Sequence, residues 1–225
     1  MLKLYFHPAP NPMKVALFLE EAELPFEVVP IDTRKGEQHT PAFLSVNPNG
    51  KTPALVDGSV TVFDSTAILL YLAEKTGRFG APNTPDARGE FWSWLLFVAT
   101  GVGPFSGQAV HFKHFAGDNA YAVQRYDYEA RRHYRVLDER LSSRNFLLGD
   151  AYTIVDMSLW GWARALPRVV GPDAWELFPN VKRWFDLVAS RPAAVRAEAL
   201  TKKFAFKNEM DGEARRHMFP HTSEA

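Results

Sequence analysis

The stretch 47–77 constrains this chain most. It reads Asn-Pro-Asn-Gly-Lys-Thr-Pro, then two short apolar runs, Ala54–Asp57 and Val60–Phe63, separated by Gly58-Ser59. Two such runs around a tight glycine-bearing turn predict a β-hairpin, because glycine adopts positive φ without steric cost. Asp64-Ser65 then opens an amphipathic helix whose buried face is Ile68, Leu69, Tyr71 and Leu72, with Gly77 as the left-handed residue that ends it. Pro53 starts a strand and so removes one N–H donor there, and it pushes Thr52 towards an extended conformation. If the Thr52–Pro53 bond is cis, the Thr52 backbone turns outward and can pair with an extended peptide. Ser65 stands where free helix N–H groups and the positive end of the helix dipole favour a carboxylate or phosphate. Each feature alone also fits a buried hairpin followed by an ordinary N-cap.

The remaining elements follow in order. Leu2–Phe6 reads as a strand, and the proline-rich turn His7–Pro12 as a loop. A helix is expected from about Pro12, with Asn11 as its N-cap and Val15, Leu17, Phe18, Leu19 and Ala22 apolar. Phe26–Ile31 is a second strand, parallel to the first through a right-handed crossover. A polar loop covers 32–40, and one or two helical turns fit Pro41–Val46. The order βαβαββα is that of a thioredoxin-like fold. A Pro- and Gly-containing linker at 80–87 follows, giving expected domains at 1–79 and 88–225.

Beyond it the pattern is helical throughout. Phe91, Trp94, Leu95 and Val98 share one helix face. That helix is expected to bend or end near Pro104. A long amphipathic helix fits Asn119–Leu141. Thr153-Ile154-Val155-Asp156 is a capping box opening a Trp- and Ala-rich helix, and two more helices fit near Asn180–Ser190 and Ala193–Phe204. The polar tail after Lys207 is expected to be disordered. The fold class is therefore an α/β thioredoxin-like domain followed by an all-α helical bundle.

Composition narrows the chemistry. The 26 basic and 26 acidic residues balance, which argues against nucleic acid or an anionic membrane as the main partner. No apolar run approaches the roughly 20 residues of a membrane helix, and no signal peptide is evident, so the expected compartment is the cytoplasm. With no Cys in 225 residues, the protein has no disulfide, thiolate metal site or cysteine nucleophile of its own. Any thiol chemistry needs a thiol brought by a ligand. His111 and His114 have no third ligand nearby, so no metal site is expected.

Taken together, the first strand with its Asn-bearing turn, Lys51-Thr52-Pro53, Phe63-Asp64-Ser65 and the Thr153–Asp156 box resemble the cytosolic glutathione transferases from Leu2 to about Leu200. The segments Phe18–Leu24, Ala67–Gly77 and Gly103–Phe112 resemble the bacterial nu class, which is associated with glutathione-dependent disulfide reduction and with weaker transferase or peroxide-reducing activity. That resemblance implies glutathione as cosubstrate. Thr52, before a cis Pro53, would pair with its cysteinyl backbone. Asp64 and Ser65 would hold the γ-glutamyl end, and Gln38 and Lys51 the glycyl end. Asn11 would donate to the sulfur and lower the thiol pKa. Arg125 would reach the tripeptide from the helical domain, and Phe105, His111 and Phe112 would line a second-substrate pocket. One departure falls at the centre: the nu-like pattern has Thr two residues before the Asn, and here that residue is Ala9. Tyr5, inside its strand, reads as packing rather than as a hydroxyl donor to the sulfur. The expected function is a glutathione transferase and disulfide-bond reductase acting as a homodimer on a small electrophile or disulfide. A non-catalytic glutathione-binding or interaction protein with the same fold is the alternative.

Overall fold

The computed structural model describes residues 1–116 and 118–220. By internal contacts the chain forms two units, residues 1–72 with 193–225 and residues 73–192.

The first unit is built on a four-stranded sheet in the order β2-β1-β3-β4. β1 (Leu2–Phe6) pairs in parallel with β2 (Phe26–Pro30), from Leu2 opposite Phe26 to Phe6 opposite Pro30. It pairs antiparallel with β3 (Ala54–Asp57), and β3 pairs antiparallel with β4 (Val60–Phe63) across the turn at Gly58, whose φ is 60°. The hairpin is the one the alternation implies, and its glycine takes the left-handed conformation for which glycine is suited. α1 (Pro10–Glu21) packs on β1, and every residue from Pro12 to Leu19 is buried. A helix buried all round occupies the middle of its unit rather than its surface. α2 is the single turn Pro41–Leu44. Phe43 from it joins Ile31 and Ala54 in a small core on which Tyr5 packs, the Tyr5 and Phe43 rings lying 5.7 Å apart. That is the packing role expected of Tyr5. α3 runs Ser65–Thr76 and is followed by Gly77 at φ 66°.

Two local expectations need correction here. α1 begins at Pro10 rather than at about Pro12, and its N-cap is Ala9, not Asn11, with no side-chain cap. Pro10 accounts for this, since its fixed φ suits the first helical position and that position needs no N–H. Asn11 is thus inside the first turn rather than its cap. Up to residue 220 the tail is also more ordered than its polarity suggests, while residues 221–225 lie outside the described residues. After α11 (Pro192–Lys203), a further helix, Gly212–Met218, forms and is labelled α12 below. Asp211 caps it by accepting from the Ala214 N–H at 2.9 Å.

The second unit is helical. α4 (Pro85–Leu96), a π-helical turn (Phe97–Val102) and α5 (Gly103–His114) follow one another without a loop. Pro104 does not end the helix; it is the second residue of α5, directly after the π turn, whose wider register accommodates the missing N–H. α6 (Ala120–Leu141) is capped by Asn119, which accepts from the Ala122 N–H at 3.0 Å. α7 (Ile154–Ala163) is buried from Ile154 to Gly161 and packs against α4, the π turn and α10 (Pro179–Ala189), with short helices α8 (Leu166–Val170) and α9 (Ala174–Leu177) between them. The Thr153–Asp156 capping box is complete. Among the described residues, no helix is long and apolar enough to cross a membrane.

Candidate functional site

The sheet register gathers most of the expected site residues at one end. Tyr5 lies opposite Ala54, and Ala54 opposite Phe63. Just beyond that row come the turn into α1, the segment entering β3, and the start of α3. Asn11, Thr52-Pro53 and Asp64-Ser65 are therefore neighbours in the fold although up to 54 residues separate them in sequence.

Each piece has its own local cause. The Thr52–Pro53 bond is cis. Pro53 is buried, Thr52 is half-buried, and the ladder of β3 begins only at Ala54. Asp64 sits at φ 70°, a left-handed conformation that Asp tolerates better than most residues. From there its Oδ1 accepts from the Thr66 N–H at 2.8 Å and the Ala67 N–H at 3.1 Å. Asp64 is thus the N-cap of α3 while its side chain stays exposed. Ser65 is 5% exposed at the first position of the helix. Backbone strain beside a helix start that carries a carboxylate and a hydroxyl is the kind of local cost found at ligand sites.

Gln38 and Lys51 lie on a second edge of the same region. Gln38 belongs to a 3₁₀ turn, Glu37–His39, and is buried. A side chain at Gly50, next to Lys51, would meet the Gln38 carbonyl at 3.3 Å, so the two segments touch. Lys51 is exposed, and its carbonyl accepts from the buried Asn47 at 2.6 Å. Gln38 is also held from the far end of the chain: its Nε2 donates to the His217 carbonyl at 3.1 Å. The same strap has Lys207 donating its N–H to Asp32 at 2.7 Å and accepting on its carbonyl from Arg34 at 2.8 Å. The Gln38 Oε1 is buried and accepts no hydrogen bond among the described residues.

The other expected residues lie in the second unit. Arg125 on α6 is half-exposed and ion-pairs with Glu129 one turn on, at 3.0 Å. Phe112 stacks on Tyr126 at 5.2 Å, Phe105 lies against Tyr126 and stacks on His133 at 5.0 Å, and His111 meets Phe112 edge-on. All three are half-buried. The neighbouring glycines make room for rings. A side chain at Gly101 would strike His133 at 2.6 Å, and one at Gly103 would reach Trp162 at 3.0 Å. No group of three or more His, Asp or Glu suited to a metal ion occurs among the described residues.

One residue of this region was not anticipated. Lys14, in the middle of buried α1, is 2% exposed, and its Nζ lies 3.5 Å from the Ser65 Oγ. Burial pushes its ammonium down to about 8, and the nearby Asp64 carboxylate pulls the other way. The available signal was a lone lysine inside the apolar run Met13-Lys14-Val15-Ala16-Leu17.

Comparison with known proteins identifies the fold. A model of the glutathione S-transferase N-terminal domain matches residues 1–74, and a model of the glutathione S-transferase C-terminal domain matches residues 120–187. The chain belongs to the glutathione S-transferase family. This transferase is 43% identical over 205 residues to the disulfide-bond oxidoreductase YfcG of Escherichia coli strain K12, covering 88% of this chain and 94% of that one. Among solved structures, a glutathione transferase of Burkholderia graminis with two glutathione molecules bound per subunit is 37% identical with a TM-score of 0.81, over 90% of this chain and 89% of that one. A glutathione transferase of Pseudomonas putida with one glutathione disulfide bound per subunit is 33% identical with a TM-score of 0.80, over 87% and 90%.

Proposed function

We propose that this transferase is a glutathione-dependent disulfide-bond reductase with a general transferase activity towards small electrophiles. The observation that carries the reading is the grouping of Thr52-Pro53, the Asp64-Ser65 start of α3 and the first turn of α1 at one end of one sheet, in a chain without cysteine. The similarity to YfcG and to relatives solved with glutathione supports the same conclusion.

In this mechanism the Thr52 backbone, outside the β3 ladder, pairs with the cysteinyl part of glutathione. Asp64 faces the γ-glutamyl ammonium, and Ser65, through its hydroxyl and its own N–H, faces the α-carboxylate. Gln38 and Lys51 take the glycyl end. The Asn11 amide and the N-terminus of α1 donate to the sulfur and favour the thiolate. The thiolate attacks one sulfur of a disulfide, forming a mixed disulfide with glutathione and expelling the other sulfur as a thiolate, which is then protonated. A second glutathione thiolate attacks the mixed disulfide, giving glutathione disulfide and releasing the remaining thiol. Two glutathione molecules are oxidised for each disulfide reduced, and the protein contributes no redox group. The two glutathione molecules per subunit in the Burkholderia graminis relative suit that stoichiometry.

Arg125 contributes to the tripeptide site, and Phe105, His111 and Phe112 form the second-substrate wall. Residues 1–79 carry glutathione binding, and 88–225 carry the helical part. The working form is a cytoplasmic homodimer. Steady-state reduction of hydroxyethyl disulfide by glutathione, run beside conjugation of an aryl halide, tests the assignment. Disulfide turnover exceeding conjugation is expected; conjugation alone would refute the reductase reading. Glutathione binding with neither reaction would return the chain to the non-catalytic alternative.

A further inference from the structure

Lys14 is not used by the mechanism above, and its surroundings are unusual for a lysine. It is a charged residue in the interior of a helix buried all round, and among the described residues no carboxylate lies within ion-pair distance of it. Its one hydrogen-bonding contact is the Ser65 hydroxyl. A buried ammonium without a paired anion is costly, and such groups are kept where a charge is needed. Asp64, the nearest acid to act on it, turns its Oδ1 to the N–H groups of Thr66 and Ala67 and keeps its side chain at the surface. At the helix start that leaves the Ser65 hydroxyl and its own N–H as donors, with Lys14 directly behind the hydroxyl. By accepting from Lys14, Ser65 Oγ has its own hydrogen turned outward as a donor.

We infer that Lys14 is a positioning residue for the γ-glutamyl head group: it orients and polarises Ser65 and supplies the buried positive charge that the ligand's α-carboxylate completes. The inference rests on the glutathione reading and deepens it. Asp64 and Lys14 then form a fixed pair of opposite charges, one at the surface and one beneath it. An amino-acid head group presents the reverse pair, ammonium to Asp64 and carboxylate to Ser65 and Lys14. Such a site selects an intact α-amino-acid terminus over an amine or a carboxylate alone, because either partial ligand leaves one protein charge uncompensated. The lowered ammonium pKa agrees with a cation whose counter-charge arrives with the ligand.

The test compares two tripeptides by titration calorimetry: glutathione, and its analogue 4-aminobutyryl-cysteinylglycine, which lacks only the α-carboxylate. The wild-type protein is measured beside Lys14→Met, which keeps the length of the side chain, and Lys14→Gln, which keeps a donor for Ser65 without charge. Folding of each is checked by its thermal transition. In wild type, glutathione binds more tightly than the analogue. In Lys14→Met the affinity for glutathione falls by about tenfold or more while the affinity for the analogue stays within about twofold, so the preference collapses. Lys14→Gln retains part of the preference. A merely structural lysine would weaken both ligands alike and leave their ratio unchanged; that result, in either variant, overturns the inference and leaves the glutathione site standing. Failure of wild type to bind glutathione overturns the glutathione reading and this inference with it.

Discussion

Asp156 is the residue whose removal has the clearest calculable consequence. It is fully buried at the start of α7, and three donors converge on its carboxylate. Leu147 N–H and Trp184 Nε1–H reach Oδ1, each at 3.0 Å, and Thr153 N–H reaches Oδ2 at 3.1 Å. The carboxylate therefore ties the loop before α7, its capping box and α10 together. Asp156→Ala leaves three buried N–H groups without acceptors; at roughly 1–3 kcal/mol each and less than fully additive, the loss is about 3–6 kcal/mol. Asp156→Asn keeps one oxygen and turns an NH₂ group towards one donor, so it costs about 1–3 kcal/mol. The pH dependence separates charge from hydrogen bonding. Burial raises the Asp156 carboxyl from the ordinary 3.8 to about 6, against the opposing pull of its three donors. The folded state then binds this proton more tightly than the unfolded state. Its contribution to stability is complete below about pH 4 and is lost as pH rises through about 6, a change of about 3 kcal/mol. Asn does not titrate. Urea unfolding of wild type and Asp156→Asn from pH 4 to 7, followed by far-ultraviolet circular dichroism, should show the advantage of wild type over Asn shrinking by about that amount as pH rises. An advantage that stays constant or grows with pH would refute the claim that desolvation dominates at this carboxylate.

Two further consequences concern the first unit. Asp64→Asn keeps the cap oxygen and a residue type that accepts φ 70°, but removes the charge that the proposed mechanism sets against the ligand ammonium. Its stability should stay within about 1 kcal/mol of wild type while the KM for glutathione rises about tenfold, as measured by thermal unfolding and steady-state kinetics. Gly36→Ala places a Cβ at φ 80° and 2.5 Å from the His217 ring. It should cost about 1–3 kcal/mol in chemical unfolding, and truncation after Lys203 should reduce that penalty to the backbone share of about 1 kcal/mol.

The parts of the fold that were legible beforehand are those written in short-range pattern. The Gly58 turn, the alternation around it, the Asp64 cap, the Gly77 stop and the Thr153–Asp156 box each follow from a few adjacent residues whose backbone preferences agree. The misplaced start of α1 came from reading Asn11 as the cap and Pro12 as the first helical residue, where Pro10, two positions earlier, meets the same requirement. The ordered tail was hidden because its partners, Asp32, Arg34 and Gln38, lie some 170 residues earlier, and polarity alone does not reveal a strap held by backbone hydrogen bonds. The Gly101 and Gly103 positions show the same limit: their small size serves the rings of His133 and Trp162, which no local window contains. Lys14 stood in plain view as a lone charge in an apolar run, but its meaning depends on Ser65, 51 residues away. The placement of residues carried by the hairpin and the start of α3 was therefore readable. Those whose role depends on packing across the fold were not.

The central claim is that this chain activates a thiol it does not itself possess, through Asn11 in the first turn of α1. Ala9 carries no hydroxyl, and among residues 9–13 Asn11 has the one side-chain hydrogen-bond donor. The direct measurement is the pH dependence of the thiolate absorbance of bound glutathione near 240 nm, taken together with hydroxyethyl disulfide turnover, in wild type and Asn11→Ala. The account predicts a thiol pKa below that of free glutathione in wild type, a rise of about 1 unit or more in Asn11→Ala, and a fall in kcat of about tenfold or more with little change in the glutathione KM. An unshifted thiol in wild type, or full turnover in Asn11→Ala, would contradict it.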